Sequence, residues 1–337
     1  MEANKNKFRE TDIRPSDIMA GQIKHIEADR ERLLSHKHKF VTVSCPACGC
    51  ENSRIEFIKN GLKYVTCTCC ETMFVNPRPT SEILEECYSK SSVYEFWNKY
   101  VYPVTDKARC EGIYRPRVER ILNICKNYGF TNCTLMEVGA GFGSFCDEVN
   151  NTGYFDRVIA VEPTPDGAES CRKKNVEVIE KPIEKVSIDK GKVDIIVSFE
   201  VIEHLFSPKT FLINCSNLLR TGGLIIVTCP NIRGFDNLVL GKLSSTIDHE
   251  HLNYFHPESL ALLMSNCGFR LVEKLTPGKL DAELVRNEVL KGAFSLKNKP
   301  FLKYLLIDKW NETNENFQNF LADNLLSGHM WMVALMK

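Results

Sequence analysis

The sequence predicts an α/β protein: a doubly wound, mostly parallel sheet with helices on both faces, preceded by a cysteine-rich ribbon and carrying helical additions. Three observations carry this. Short apolar runs alternate with helical stretches from residue 134 to 275. One of those runs turns through Gly139-x-Gly141-x-Gly143 directly into a helical pattern. Two Cys-x2-Cys pairs, Cys45/Cys48 and Cys67/Cys70, stand eighteen residues apart.

Composition sets the outer bounds. At 337 residues with 43% hydrophobic content, the chain has room for one large domain and one or two small ones. Lys+Arg and Asp+Glu are both 43, and no run of five like charges occurs, which weighs against a nucleic-acid partner. No apolar run approaches the ~18–20 residues of a membrane span. The opening "MEANKNKFRETDIRPSD" is polar and mixed in charge, so it does not read as a secretory signal. The fifteen cysteines are therefore expected to be reduced thiols and metal ligands of a soluble, cytoplasmic protein.

Residues 1–40 form an expected helical segment, with Ile18, Met19, Ile23, Ile26, Leu33 and Leu34 at helical spacing. Residues 41–80 form the ribbon. The four cysteines Cys45, Cys48, Cys67 and Cys70 have the spacing of a closed four-thiolate zinc site, structural in role because no coordination position stays open. Between the pairs, two short strands are expected around Asn60-Gly61, a dipeptide preferred in type I′ hairpins. Cys50 and Cys69 are left over.

Residues 81–128 read as a helical, aromatic joint or lid. Tyr94 or Trp97 is expected to close over a substrate. Arg109, Arg115 and Arg117 either clamp a phosphate through the guanidinium fork or line a solvated helix face. Residues 129–337 hold the sheet, and the excursion 280–326 reads as helical.

Within the sheet, "TLMEVGAGFGSFCDEV" is strand, glycine loop and helix. "RVIAVEP" is the next strand, and Glu162 near its end suits ribose hydroxyls. A nicotinamide dinucleotide would favour G-x-G-x-x-G. Here the pattern is E-x-G-x-G-x-G, and Glu137 inside the first strand suits a cationic, phosphate-free ligand.

At these residues the chain resembles the class I S-adenosylmethionine-dependent methyltransferases, which are Rossmann-like. "EVGAGFG", "VIAVEP", "VDIIVSFEVIEHL" and "LLRTGGLIIVTCPN" match their motifs on strands one, two, four and five. The resemblance implies a seven-stranded sheet whose last strand, from "SGHMWMVALMK", inserts antiparallel beside strand six. It implies that Gly139, Gly141 and Gly143 line the methionine and ribose of the cofactor and that Glu162 holds the ribose. Pro163, Ile183 and Glu184 would flank the adenine, and Phe199 and Glu200 would border the methyl donor.

"DHEHLNYFHP" (248–257) puts three of the chain's eight histidines into ten residues. A metal site is disfavoured there, because His249 and His251 stand two apart and nothing nearby supplies thiolates or a known triad of ligands. His256, before a proline, reads as a helix start. Together with "CPAC…CTCC", "EHLNYF" resembles bacterial methyltransferases acting on nucleotide-linked sugars and surface-polysaccharide precursors. That resemblance implies His251 as general base, Glu250 orienting it, His204 positioning the acceptor, and O- or C-methylation of a nucleotide-linked sugar or similar small molecule. Zinc-ribbon rRNA methyltransferases are a second resemblance, and a cofactor-binding scaffold is the non-enzymatic alternative. The sequence does not specify an oligomeric state.

Overall fold

A computed structural model describes residues 8–188 and 191–337, so the first seven residues of the expected N-terminal helical segment lie outside the described residues. Helices occupy Glu10–Ile13, Ser16–Met19 and Ile23–Ser35 of the rest. The chain divides into two compact units. Unit 1 holds the N-terminal segment through Lys39, Pro79–Ser198 and Asn214–Leu224. Unit 2 holds Phe40–Arg78, Phe199–Ile213 and Ile225–Lys337.

Eleven strands form two sheets among the described residues. The small sheet contains β1 (Ser53–Lys59), β2 (Leu62–Cys67), β3 (Met73–Val75) and β9 (Asn253–Tyr254), in the order β1-β2-β3-β9. The hairpin between β1 and β2 turns at Asn60 and Gly61, both at positive φ (51° and 78°), as a type I′ turn requires. The short β9 was not foreseen: it pairs antiparallel with β3, Met73 opposite Tyr254 and Phe74 opposite Asn253.

The large sheet contains β4 (Thr134–Val138), β5 (Arg157–Val161), β6 (Glu177–Ile179), β7 (Val193–Phe199), β8 (Leu219–Pro230), β10 (Phe269–Leu275) and β11 (His329–Met336). Its order is β10-β11-β8-β7-β4-β5-β6. The chain runs outward from β4 to β5 and β6, then returns to place β7 on the other side of β4. Parallel crossovers are right-handed, so this reversal sends the connecting helices to opposite faces. β11 pairs antiparallel with β10, from Phe269 opposite Met336 to Leu275 opposite Trp331. This is the Rossmann-like, mostly parallel seven-stranded sheet of a class I methyltransferase fold.

The central strands are buried on both sides: Leu135, Ile159, Ile195, Ile196, Ile225 and Val333 are fully covered. The excursion before β11 is helical, with helices at Asp281–Leu290, Pro300–Lys303 and Trp310–Asp323. No helix among the described residues is long and apolar enough to cross a membrane.

Candidate functional site

The glycine loop belongs to unit 1. Gly139, Gly141 and Gly143 all have positive φ (83°, 53° and 76°). At Gly143 the requirement is also steric. A Cβ there would lie 2.8 Å from Cys171 Sγ and 2.9 Å from Cys171 Cα, and backbone does not yield. At Gly141 a Cβ would meet nothing within 4 Å, so open space adjoins the loop. Glu162 is buried and ties the loop down. Its Oε2 accepts from the Gly141 N–H at 2.8 Å, and its Oε1 accepts from the Thr164 N–H at 2.9 Å and hydroxyl at 2.6 Å. Pro163 follows it, and Ile183 is buried at the start of a short 3-10 turn, Ile183–Lys185, that also holds Glu184.

Glu137 requires a correction. It was expected to meet a cationic ligand, but its carboxyl lies inside the core, where the Cys146 thiol donates to Oε2 at 3.0 Å. Burial pushes its pKa up to about 8, against the opposing effect of that hydrogen bond. β4 places residue 137 under the following helix, so it is a neutral core acid.

Unit 2 holds His204 and the histidine loop. At the end of β7, Phe199 stacks on Trp331 with centroids 6.1 Å apart. Glu200 has a left-handed backbone (φ 56°), and its Oε1 accepts from the Thr228 hydroxyl at 2.6 Å and lies 3.4 Å from His329 Nδ1. Such a conformation is costly for a residue with a side chain and is kept where a site needs it. Glu203 and His204 come three and four residues later.

Asp248 shapes the histidine loop: Oδ1 accepts the N–H groups of Glu250 (2.9 Å) and His251 (3.0 Å). His251 donates from Nδ1 to the Thr246 carbonyl at 2.7 Å, and His204 donates from Nδ1 to the Glu250 carbonyl at 3.2 Å. A carbonyl only accepts, so Nδ1 carries a proton in both rings, and in a neutral ring the lone pair is on Nε2. The two rings meet edge to face, 4.6 Å between centroids. At Nδ1 the orienting group of His251 is therefore the Thr246 carbonyl, and Glu250 enters through its main chain, against His204. Burial, then the neighbouring His251, pushes the pKa of His204 down to about 3. Burial, then the charge of Glu200, pushes Glu203 well above the usual carboxylate range.

The ribbon is part of the same unit. Cys45 and Cys70 sulfurs lie 3.5 Å apart, as do those of Cys48 and Cys67, and all four sulfurs fall within 4.8 Å of one another. A tetrahedral zinc with ~2.3 Å bonds to sulfur needs sulfurs about 3.8 Å apart, so donor type and spacing both fit. Cys50 and Cys69 correct the expectation of reduced thiols throughout: they are joined as a disulfide.

From this ribbon, side chains reach the histidine loop. Lys59 Nζ donates to the carbonyls of Ile247 and of Ser244 (3.2 Å), and Tyr64 donates to the Asp248 carbonyl at 2.7 Å. Arg78, fully buried, donates to the carbonyls of Val75, Phe206 and Leu252 and to Asn253 Oδ1, at 2.9–3.1 Å. His256 starts the helix Pro257–Asn266 as expected, with its N–H bonded to Ser259 Oγ (3.0 Å). Its ring also joins the ribbon, through Nε2 to the Cys70 carbonyl at 2.9 Å.

Residues 107–274 match a family described as a methyltransferase domain. The chain carries a methyltransferase domain. Among individual relatives, a Mycobacterium tuberculosis protein named as a probable S-adenosylmethionine-dependent methyltransferase is 28% identical over 137 residues, 40% of this chain and 48% of that protein. The ubiquinone biosynthesis O-methyltransferase of Maricaulis maris is 29% identical over 122 residues, 32% of this chain and 47% of that enzyme. The chain thus spans about half the length of these curated relatives. A solved S-adenosylmethionine-dependent methyltransferase from Archaeoglobus fulgidus is 20% identical, with 66% of this chain and 96% of that one covered and a TM-score of 0.42.

The methyltransferase domain begins inside the helical joint, where Arg109 is buried and Arg115 is exposed. Arg109 stacks on Trp97 and Tyr102 (5.3 and 5.2 Å to the centroids) and donates to the Ile13 carbonyl at 2.9 Å. Arg115 pairs in fork geometry with Glu148, at 2.9 and 3.2 Å. Arg109 is thus not left to clamp a phosphate, and Arg115 lies on a solvated helix face. Trp97 packs on Tyr102 at 5.4 Å, and Tyr94 faces Tyr88 at 5.9 Å. Tyr102 in turn stacks on Phe142 of the glycine loop at 5.3 Å.

Sequence reasoning gave no role to three contributors to the methyltransferase domain's histidine cluster: Glu203, Asp248 and the Thr246 carbonyl. Asp248 opens the histidine-rich stretch, and Glu203 is a second acid three residues after Glu200 at the end of an apolar strand, whereas a carbonyl leaves no mark in the sequence.

Proposed function

We propose that this protein transfers a methyl group from S-adenosylmethionine to a hydroxyl oxygen of a nucleotide-linked sugar or polysaccharide precursor. The observation that carries it is the His204–His251 pair, each ring held at Nδ1 by a main-chain carbonyl. With Nδ1 committed, Nε2 of His251 is the nitrogen able to take the acceptor's proton, and an imidazole suits that role at neutral pH. His204 positions the acceptor beside it.

In unit 1, the open glycine loop with Glu162 beneath it fits the cofactor, and Pro163, Ile183 and Glu184 would flank its adenine. Glu162 would exchange its bond to Gly141 for the ribose hydroxyls. In unit 2, Phe199 and Glu200 would border the methyl donor. When bound, S-adenosylmethionine supplies a methyl group on a good leaving group, so the protein's tasks are alignment and proton removal. The four ribbon thiolates would hold one structural zinc. The O-methyltransferase named among the relatives supports oxygen as the acceptor atom, and the likeness of "EHLNYF" to the sugar methyltransferases supports the substrate class.

The test is transfer of labelled methyl from the cofactor to a panel of nucleotide sugars, with rRNA as the competing acceptor. Label on a sugar, at a position stable to mild base, is expected. Label on RNA alone, or tight cofactor binding without turnover on any acceptor, overturns the reading.

A further inference from the structure

The histidine cluster contains more than a base needs. Glu203 is 1% exposed, and among the described residues neither of its carboxylate oxygens has a hydrogen-bond partner. A carboxylate in that position is stabilised either by a proton or by a cation. The charged groups that act on it electrostatically, Glu200 and Asp248, are both acids, so a cation entering here meets attraction from each. Ligand-type atoms of Glu203, His204 and His251 all lie within 4.8 Å of one another.

The outer contacts of the two rings have the form that metal-binding histidines show. Each gives its Nδ1 proton to a main-chain carbonyl, His251 to Thr246 and His204 to Glu250. That bond fixes the tautomer and the ring plane and leaves Nε2 as the donor nitrogen. Asp248, which shapes the loop bearing His251, is itself held through its carbonyl by Tyr64 and Tyr254 (2.7 and 3.2 Å). The fold completes a ligand set that the histidine loop does not supply by itself: Glu203 and His204 arrive from the end of β7, almost fifty residues earlier.

We propose that Glu203, His204 and His251 bind one divalent first-row transition-metal cation, at a site separate from the four ribbon thiolates. Two imidazoles and a carboxylate are a donor set that zinc and its neighbours accept with coordination positions left open, unlike the closed set of four sulfurs. The inference rests on the reading above for its purpose. An acceptor hydroxyl bound to the ion would lose its proton to water more readily than a free one. The O–H bond breaks, the oxygen then takes the methyl group, and the electron pair of the S–C bond stays on the cofactor's sulfur. His251 acts in this case by holding the ion.

The test is cobalt binding by the whole of this chain in reduced form. Cobalt on four thiolates gives strong sulfur-to-metal charge-transfer absorption, whereas cobalt on nitrogen and oxygen gives only weak visible bands. Wild type should take up two equivalents, one of each kind. Glu203→Gln and His251→Asn should each lose the weak-band equivalent and keep the charge-transfer one. A wild-type protein that takes up a single equivalent overturns the proposal whatever the variants do, as does a second equivalent that survives in both variants. Methyl transfer to the sugar panel by protein carrying one metal per chain would sink this site and leave the proposed activity standing.

Discussion

The contacts that shape the glycine loop run between residues close in sequence: Glu162 to Gly141 and Thr164, Glu137 to Cys146, Gly143 against Cys171. The histidine loop adds, to its local bonds through Asp248 and Thr246, contacts between distant residues: Tyr64 to Asp248, Lys59 to Ser244, Arg78 to Phe206 and Asn253, His204 to Glu250. Each loop is stabilised by hydrogen bonds of ordinary length. The difference lies in what must fold first. A βαβ segment brings Glu162 to Gly141 by itself, whereas Asp248 meets Tyr64 only after the ribbon has formed. The histidine loop is thus exposed to damage in the ribbon, far from it in sequence.

The largest effect that would test this contrast comes from the ribbon. For a small metal-held unit, metal binding and folding free energy are the same quantity, about 10–16 kcal/mol in zinc-finger peptides. Cys45→Ser should therefore abolish zinc in elemental analysis and bring turnover below detection, through the lost grip of Lys59 and Tyr64 on residues 244–248. Cofactor affinity, expected to rest mainly on the glycine loop and Glu162, should stay within about threefold by calorimetry, since distant sites act independently. Normal turnover in metal-free protein would erase the contrast.

The next effect lies in unit 1 and depends on pH. Glu137 has its pKa raised from 4.5 to about 8, chiefly by burial. Its contribution is fully present below pH 4.5, where folded and unfolded chains are both protonated. Between 4.5 and about 8 unfolding releases a proton, so stability falls as pH rises, by up to about 4–5 kcal/mol in all. Glu137→Gln should flatten the denaturant midpoint between about pH 5 and 8 relative to wild type. Equal slopes in the two proteins would mean that the carboxyl is not the buried neutral acid described here.

A smaller change is expected at the histidine itself. His251→Asn should lower turnover at least about a hundredfold, roughly 2.7 kcal/mol, with melting temperature and cofactor affinity preserved. Near-wild-type turnover would return His251 to a structural role. The smallest expected effect is at Glu162. Glu162→Ala should cost about 1.5–3 kcal/mol of cofactor affinity, the scale of a hydrogen bond to a charged group, and leave zinc content unchanged. Unchanged affinity would confine Glu162 to bracing the loop through Gly141 and Thr164.

The parts legible from the sequence were those with a local physical signature. Asn60-Gly61 names its turn because few residues accept positive φ twice in succession. Gly139, Gly141 and Gly143 after an apolar strand name theirs, and the apolar run after Gly328 names the last strand, which takes its place between β8 and β10. Other residues had no such mark. Glu137 sits in a strand that reads the same whether its acid faces a ligand or the following helix. Cys50 and Cys69 resemble spare thiols until the ribbon brings them together.

The sequence by itself determined the sheet, the glycine loop and its acid, and the four-thiolate spacing, because each follows from φ preferences, side-chain period or ligand count within a short stretch. Tertiary structure alone decided which carbonyl orients His251, that Arg109 stacks on aromatics, and that the Glu203 carboxylate stands beside two imidazoles with no hydrogen-bond partner among the described residues. The reason is that burial and charge are properties of everything that surrounds a group. For Glu203 those surroundings include His204 one residue away and His251 across the fold, together with a loop whose position the ribbon sets from the other end of the chain.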